Sequence, residues 1–214
     1  MVSCCQCEGI ATQFGAKTAR RELRRFRRRG PNKSTRLLIN ELRSAGVADA
    51  SLLDVGGGIG AIHHALIAAG ARSAVHVDVS SDYIQAAQEE SVRRGHGDRV
   101  RFIHGDLVQI APTIPEADIV TLDRVICCYP DMEALVSTAA EKAGRLFGAV
   151  YPRDVWWVRL GVRTVNLLMR ARRSAFRVFV HPPAAIDAAL RQHGLERRAL
   201  ERTVTWEVVT YVRR

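Results

Sequence analysis

The feature that most constrains the fold is a short apolar segment that runs into a glycine-rich turn and then into a second apolar segment. It reads Leu52-Leu53-Asp54-Val55-Gly56-Gly57-Gly58-Ile59-Gly60. Glycines at such a junction leave the main chain accessible to a ligand, and the amides at the start of a following helix favour negative charge. The segment therefore predicts a strand, a loop and a helix that bind a nucleotide-like ligand through Asp54, Gly56, Gly57, Gly58 and Gly60.

The chain around this loop alternates between short apolar strands and amphipathic helices. Strands are predicted at 52–55, 74–77, 100–103, 119–122 and 146–151, with helices at 59–69, 82–94 and 131–143 between them. This alternation is typical of a parallel sheet that helices cover on both faces. After a helix over 184–193, two strands within 195–212 add an antiparallel edge. We therefore predict an α/β fold with a seven-stranded, Rossmann-like sheet, mostly parallel with an antiparallel last strand.

Two parts of the chain fall outside this alternation. Residues 1–33 form a basic N-terminal segment, in which a helix is predicted over 14–26, and residues 34–214 form the main domain. Gly30-Pro31 is expected to end the first helix, and Ser34 is expected to cap the next one.

The second part is a lid-like insertion over residues 152–182. Its predicted helix, 154–173, carries a stripe of Arg159, Arg163 and Arg170 on an otherwise apolar surface. So broad an apolar face must be covered. The sequence leaves three possibilities open: the helix packs as a lid over the acceptor, it meets a second copy of the chain, or it lies on an acidic membrane surface.

The net charge of +10 is the one unusual feature of the composition. Of the 32 basic residues three are lysines, and the stretch 17–29 alone carries eight cationic side chains. Codon bias explains part of an arginine excess, but a local patch also suits nucleic acid, acidic lipid or an anionic substrate. We expect a cytoplasmic protein, because no apolar run approaches membrane-spanning length and the N-terminus lacks the apolar core of a signal peptide.

The five cysteines are Cys4, Cys5, Cys7, Cys127 and Cys128. An odd number with adjacent pairs does not fit a secreted disulfide framework. The N-terminal cluster has the thiols for a soft metal, but no second Cys or His group follows at finger-like spacing. Reduced thiols are therefore the preferred interpretation, and no metal site is predicted.

The glycine loop by itself fits two kinds of cofactor. Gly56-x-Gly58-x-x-Ala61, with Asp78 further along, also satisfies the fingerprint of nicotinamide dinucleotide sites. Asp54 argues against that cofactor, since a carboxylate there repels a pyrophosphate but suits the cationic end of S-adenosylmethionine. Three further features favour S-adenosylmethionine. A long helical segment precedes the first strand, whereas a dinucleotide domain usually begins near its first strand. Gly105-Asp106, after the third strand, places a carboxylate where it can accept a hydrogen bond from the adenine amino group. The last strand completes a single sheet and does not begin a second domain.

From about Ser34 onward the chain resembles the class I S-adenosylmethionine-dependent methyltransferases, and the segment 53–60 matches their first motif. The resemblance implies that Asp78, followed by Val79, binds both ribose hydroxyls. It also implies that Asp106 and Leu107 contact adenine and that Asp123 lies beside the reactive methyl group.

Each of these carboxylates also has a purely structural interpretation. Asp78 and Asp106 are of a residue type that caps helices and turns, and Asp123 can pair with Arg124. The functional interpretation gains weight because four carboxylates, counting Asp54, fall at the C-terminal ends of four successive predicted strands. In an open α/β sheet that edge is where ligands bind.

The acceptor is less well specified. The segment after Asp123 lacks the Asp/Asn-Pro-Pro-Tyr/Phe pattern of amino-methylating nucleic-acid enzymes. It is instead similar to the magnesium-protoporphyrin O-methyltransferases, through Tyr129-Pro130 and through Phe179-Val180-His181 after the insertion. That family has a histidine before Tyr-Pro where this chain has Cys128, so no catalytic role is carried over to this position.

The sequence thus predicts an enzyme that methylates a small hydrophobic molecule, and an anionic acceptor is compatible with the positive charge. An RNA methyltransferase and a non-catalytic protein that binds nucleic acid or a membrane surface with the same fold stay as alternatives. Peripheral membrane contact is one of the partners considered. No catalytic base and no oligomeric state are assigned.

Overall fold

The computed structural model describes residues 9–10 and 12–214. Cys4, Cys5 and Cys7 lie outside the described residues. The helices are α1 (Ala16–Arg29), α2 (Lys33–Ser44), α3 (Ala61–Ala68), α4 (Ser81–Arg93), α5 (Leu107–Ile110), α6 (Met132–Glu141), α7 (Trp156–Ala171) and α8 (Pro183–Gln192). The strands are β1 (Ser51–Val55), β2 (Ser73–Asp78), β3 (Val100–His104), β4 (Ala117–Asp123), β5 (Ala143–Pro152), β6 (Leu195–Arg202) and β7 (Trp206–Arg213).

The strands form one seven-stranded sheet in the order β3-β2-β1-β4-β5-β7-β6. The first five strands pair in parallel, whereas β7 is antiparallel to both β5 and β6. A short turn joins β6 to β7, so the two must run in opposite directions, and β7 inserts between β5 and β6. The predicted fold class and its antiparallel last strand are confirmed.

Apolar cores lie on both faces of the sheet, as expected for buried parallel strands. Leu53 and Val55 of β1 face the core that α6 and α8 cover, whereas Leu52 faces the core under α2 and α3. Successive strand residues point to opposite faces. The side chain of Asp54 therefore lies on the α2 and α3 side of the sheet.

The second helix begins earlier than predicted. Its N-cap is Asn32, whose side chain accepts a hydrogen bond from the Thr35 amide at 3.1 Å. The predicted cap, Ser34, lies inside the first turn and donates its hydroxyl to Asn32 Oδ1 at 2.8 Å. The prediction for Ser34 is wrong because the amide oxygen of Asn32 is already in place to accept from the first turn.

The helix α7 is the least covered element of the described chain. Val158 is its only buried residue. Its large exposed apolar side chains are those of Trp156, Trp157, Leu160, Val165, Leu167 and Leu168. No helix in the described part of the chain is long and apolar enough to cross a bilayer.

Candidate active site

The glycine turn between β1 and α3 has the left-handed backbone that its composition predicts. Gly56 has φ of 57° and Gly58 has φ of 56°, in the region that side chains make unfavourable. A Cβ on Gly56 would also lie 2.5 Å from Val125 Cγ2. The loop can therefore take this shape only with glycine at these positions.

Asp78 stands at the C-terminal end of β2 and holds the glycine loop. Its Oδ2 accepts from the Gly58 amide at 3.0 Å, and its Oδ1 accepts from the Ser80 amide at 2.8 Å. Burial raises the pKa of Asp78 to about 6. The helix that follows is capped by Ser80 instead, through the Tyr83 amide, so the interpretation of Asp78 as a helix cap is wrong.

Asp106 follows β3 and does have a capping role. Its side chain accepts from the Val108 amide at 3.1 Å at the start of α5. Its second oxygen accepts from the Tyr129 hydroxyl at 3.0 Å. The sequence reasoning did not foresee this second contact, because Tyr129 lies after β4 and only the fold brings the two side chains together.

Asp123 ends β4 and contacts two other elements. It accepts a hydrogen bond from Thr35 Oγ1 of α2, and it pairs with the Nε of Arg124 at 3.3 Å. Arg124 itself has φ of 63°, which is uncommon for a residue other than glycine. Strained residues of this kind cluster at binding sites, and here the strain turns the chain where β4 meets the cavity.

Asp54 is placed differently from these three carboxylates. It is 1% exposed, accepts from Thr121 Oγ1 at 2.8 Å and contacts His63 Nδ1 at 3.2 Å. Burial raises the pKa of its carboxyl group. The carboxylate therefore lies beneath the loop, and it does not reach the large cavity.

A cavity of about 350 Å³ extends from the glycine loop across the ends of the central strands. Its walls include seven of the ten predicted cofactor residues: Gly56, Gly58, Asp78, Val79, Asp106, Leu107 and Asp123. A second cavity of about 70 Å³ adjoins the loop and includes Asp54 and Gly57. Gly60 lines neither cavity; it precedes α3 with φ of 81°.

Aromatic side chains cover the large cavity. Phe14 contacts Tyr83 and Phe176 edge to face, with ring centroids 5.8 Å and 5.6 Å away. Sequence reasoning missed this cover, because the three rings come from distant parts of the chain. Within the insertion, the walls include Phe176 and Val178 but no residue of α7. The segment after the predicted lid helix therefore lines the cavity, and the helix itself does not.

The turn after β4 forms another part of the cavity wall. Cys127, Cys128 and Tyr129 line it together with Trp206. His181 Nε2 donates to the Tyr129 carbonyl oxygen at 2.9 Å. This contact fixes the turn against the segment after α7, so His181 holds the wall in place rather than facing a reactant.

Comparison with known proteins agrees with this geometry. The O-methyltransferase domain family matches residues 8–143, more than half of the chain. The fold is similar to that of magnesium protoporphyrin IX methyltransferase from Synechocystis PCC 6803, solved with bound SAH and with bound SAM. The SAH complex has a TM-score of 0.67 and 20% identity over 85% of this chain and 81% of that chain. The SAM complex has a TM-score of 0.65 and 19% identity over 85% and 78%.

An O-methyltransferase family protein from Burkholderia thailandensis also shares the fold. Its TM-score is 0.65, with 17% identity over 84% of this chain and 56% of that chain. Comparison of the sequence with curated proteins gives no match.

The residues present fit the cofactor of this family. The glycine loop leaves the main chain open, and carboxylates at the ends of β2 and β3 stand where an open α/β sheet binds a nucleoside. The family match selects S-adenosylmethionine over the nicotinamide dinucleotide that the glycine loop by itself also fits. The chain belongs to the O-methyltransferase domain family and is an S-adenosylmethionine-dependent methyltransferase with a Rossmann-like sheet.

Proposed function

We propose that this enzyme methylates a small, largely hydrophobic molecule bound in the 350 Å³ cavity beside the cofactor. The observation that carries the proposal is the continuity of that cavity. Its walls include the glycine loop, Asp123 and the turn containing Cys127 and Tyr129. One continuous space thus offers room for a methyl donor and an acceptor beside each other.

The cofactor residues follow from the walls of this cavity. Asp78 binds the ribose hydroxyls, since each of its oxygens accepts one amide hydrogen bond and keeps a further acceptor site. Asp106 and Leu107 face adenine, Val79 packs beside the nucleoside, and Asp123 lies at the methyl end. The main chain at Gly56 and Gly58 supports the cofactor, whereas Gly57, Gly60 and Asp54 support the shape of the loop.

When bound, the cofactor supplies an electrophilic methyl group on a sulfonium. The protein's contribution is alignment and the exclusion of water. Phe14, Tyr83 and Phe176 close one side of the cavity with aromatic rings. No catalytic base is assigned to the described side chains, and an acceptor that arrives deprotonated needs none.

The walls also indicate the character of the acceptor. Val125, Leu135, Val178 and Trp206 are among the apolar side chains in the walls of the cavity. Arg124 is the only cationic side chain among the described residues that line it. Arg124 already pairs with Asp123, and Glu22, Asp78 and Asp106 line the same cavity, so the site favours an acceptor with an apolar body and does not select an anionic group.

The first experiment separates cofactor binding from acceptor choice. Calorimetry with S-adenosylmethionine should show about tenfold or weaker affinity for Asp78→Ala, because the ribose loses two hydrogen-bond acceptors. Glu89→Ala, which removes an exposed carboxylate of α4, is the control and should keep the affinity. Full affinity in Asp78→Ala would contradict the ribose assignment.

The second experiment identifies the acceptor. The enzyme is incubated with labelled S-adenosylmethionine and a metabolite extract, and labelled products are separated by mass and charge. We expect label in a small hydrophobic fraction. Label confined to RNA and lost after nuclease treatment would favour RNA methylation instead, which the exposed arginines of α1 make the main alternative.

We further propose that α7 contacts an anionic lipid surface. Its exposed apolar side chains include Trp156, Leu167 and Leu168, and Arg163 and Arg170 follow a stripe beside them. Tryptophan with flanking arginines suits the boundary between lipid headgroups and acyl chains. Two copies that met through this face would bring their arginine stripes together, so charge favours an anionic surface over self-association.

Sedimentation with vesicles tests this contact. We expect binding to phosphatidylglycerol vesicles, little binding to phosphatidylcholine vesicles, and loss of binding as salt rises. The double variant Leu167→Ser and Leu168→Ser should lose most of the binding. Val92→Ser, which removes an equally exposed apolar side chain from α4, should keep it. A dimer in light scattering that the double variant abolishes, without vesicle binding, would overturn the proposal in favour of a second copy.

A further inference from the structure

A cluster of buried histidines lies outside the cofactor cavity and has no part in the proposed reaction. Of the seven histidines in the chain, His63, His64, His76 and His96 contact one another beneath the glycine loop, on the α3 side of the sheet. The first three are 0% exposed. Burying this many ionisable rings is costly unless they serve as ligands or partners.

Three atoms of this cluster and its neighbour Asp54 converge on one point. His63 Nδ1 lies 3.2 Å from Asp54 Oδ2 and 3.4 Å from His76 Nδ1, and each of the three residues offers one ligand atom within 4.8 Å of those of the other two. They come from α3, β1 and β2. Asp54 and His76 are register partners on adjacent strands, so the sheet itself holds two of the three side chains side by side.

The protein's own hydrogen bonds do not account for this arrangement. A neutral imidazole ring, such as that of His63 or His76, carries a single N–H and a single lone pair. If His63 Nδ1 donates to an ionised Asp54, it has no lone pair for His76. If His63 Nδ1 instead accepts a hydrogen bond from His76, it carries no hydrogen that it could donate to the Asp54 carboxylate. The Nε2 atoms of both rings have no hydrogen-bond partner among the described residues.

We propose that Asp54, His63 and His76 bind a divalent transition-metal ion, with Zn²⁺ as the best fit. Neutral imidazole and carboxylate are a usual donor set for zinc. Bonds of about 2.0–2.1 Å in a tetrahedral site place neighbouring ligand atoms about 3.3 Å apart. The two measured separations, 3.2 Å and 3.4 Å, match that spacing. Three protein ligands leave one position for a further ligand.

The surroundings make room for the ion and suggest what it does. A Cβ on Gly57 would lie 2.5 Å from His76 Nδ1 and 2.8 Å from Asp54 Oδ2, so glycine is needed for these ligands to fit beneath the loop. Asp54 and Gly57 also line the 70 Å³ cavity, which offers a route of entry. The ion ties β1, β2 and α3 together under the loop, and its role is to hold that loop rather than to react.

The test uses the full-length protein after dialysis against a chelator. Titration with Zn²⁺ should show one tight site, and the ion should raise the midpoint of thermal unfolding. His63→Gln and His76→Gln should each weaken zinc binding by about tenfold or more. His96→Gln is the matched control, because this buried histidine belongs to the cluster but not to the three ligands.

Cobalt distinguishes this site from the cysteines. With Co²⁺ the proposed ligands give the visible absorption of a tetrahedral nitrogen and oxygen site, without the near-ultraviolet charge transfer of thiolates. The spectrum should survive replacement of all five cysteines by serine, and it can be read on the otherwise unaltered chain even if the histidine variants do not fold. A thiolate spectrum, equal zinc binding in both histidine variants, or no bound ion would each overturn the proposal.

Discussion

The helices α1 and α7 look alike in the sequence but differ in the structure. Both combine an apolar face with several arginines. The apolar face of α1 is buried, with Leu23 at 4% and Phe26 at 7% exposure, whereas Leu167 and Leu168 of α7 are 66% and 53% exposed. An amphipathic pattern therefore tells which side chains share a face, but it does not tell whether the same chain covers that face.

The difference arises from the partners that each helix meets. Arg27 of α1 pairs with the buried Glu90 of α4 at 2.8 Å, and Arg94 lies over the Phe26 ring at 4.9 Å from its centroid. Among the described residues, α7 has one side chain that anchors it to a later segment by hydrogen bonds. The side chain of Asn166 donates to the Val178 carbonyl oxygen and accepts from the Val178 amide, both at 2.8 Å.

The largest expected effect on stability comes from truncating a buried side chain of α1. Phe26→Ala should lower the free energy of unfolding by about 3 kcal/mol, because it opens a cavity against α4. Urea unfolding followed by circular dichroism measures the loss. An effect below about 1 kcal/mol would mean that α1 contributes little to the cooperative fold, and the contrast with α7 would fail.

The second effect concerns the charge that anchors α1. Burial raises the pKa of Glu90, but hydrogen bonds from Arg93, Arg27 and Arg94 outweigh burial and lower the pKa well below its usual value. Glu90→Gln should cost about 2 kcal/mol at neutral pH, a value discounted for the partly exposed arginines.

Because the folded-state pKa of Glu90 is depressed, its stabilisation is present above the unfolded-state value of about 4.3 and is lost as pH falls through the folded-state pKa. The difference in unfolding free energy between wild type and Glu90→Gln should therefore be constant near neutral pH and shrink below about pH 4. A difference that keeps its full size at low pH would contradict the ion-pair explanation.

A smaller effect is expected at the anchor of α7. Asn166→Ala removes both hydrogen bonds to Val178 and should cost about 1 kcal/mol or less. Because Val178 lines the cavity, the same variant should raise KM for the acceptor more than it lowers kcat. Unchanged acceptor kinetics would show that α7 does not position this wall of the cavity.

The smallest effect is expected on the exposed face of α7. Leu168→Ala should change the free energy of unfolding by less than about 0.5 kcal/mol, since the side chain is exposed before and after unfolding. Measured beside Phe26→Ala, it gives the same kind of truncation on the two helices. A loss above about 1 kcal/mol would show that a second copy covers this face in solution.

The fold and the positions of the candidate cofactor residues could be predicted from local sequence patterns, whereas the side chains that cover the cavity could not. The alternation of apolar strands with amphipathic helices predicted the strands, and the glycines at positions 56 and 58, which the left-handed backbone there requires, predicted the loop. Asp78 and Asp106 could be placed at strand ends because strand direction alone fixes that edge. The aromatic cover of Phe14 and Phe176 depends on long-range packing, which no periodicity records.

The capping residue of α2 and the position of Asp54 both depend on neighbours that no sequence pattern records. Ser34 and Asn32 are both good capping residues, and only the backbone at the start of α2 selects Asn32. The position of Asp54 beneath the loop depends on Thr121 and His76 from the strands on either side. A motif specifies that a carboxylate is present, but tertiary neighbours decide what it contacts.

The adjacent cysteines in the wall of the cavity have a practical consequence. Cys127 Sγ and Cys128 Sγ lie 3.8 Å apart, on the wall that the acceptor would touch. Two sulfurs this close can chelate a trivalent arsenical, which would block the space next to them. Such a reagent should inhibit this enzyme reversibly, and a bound acceptor should protect the two thiols from it.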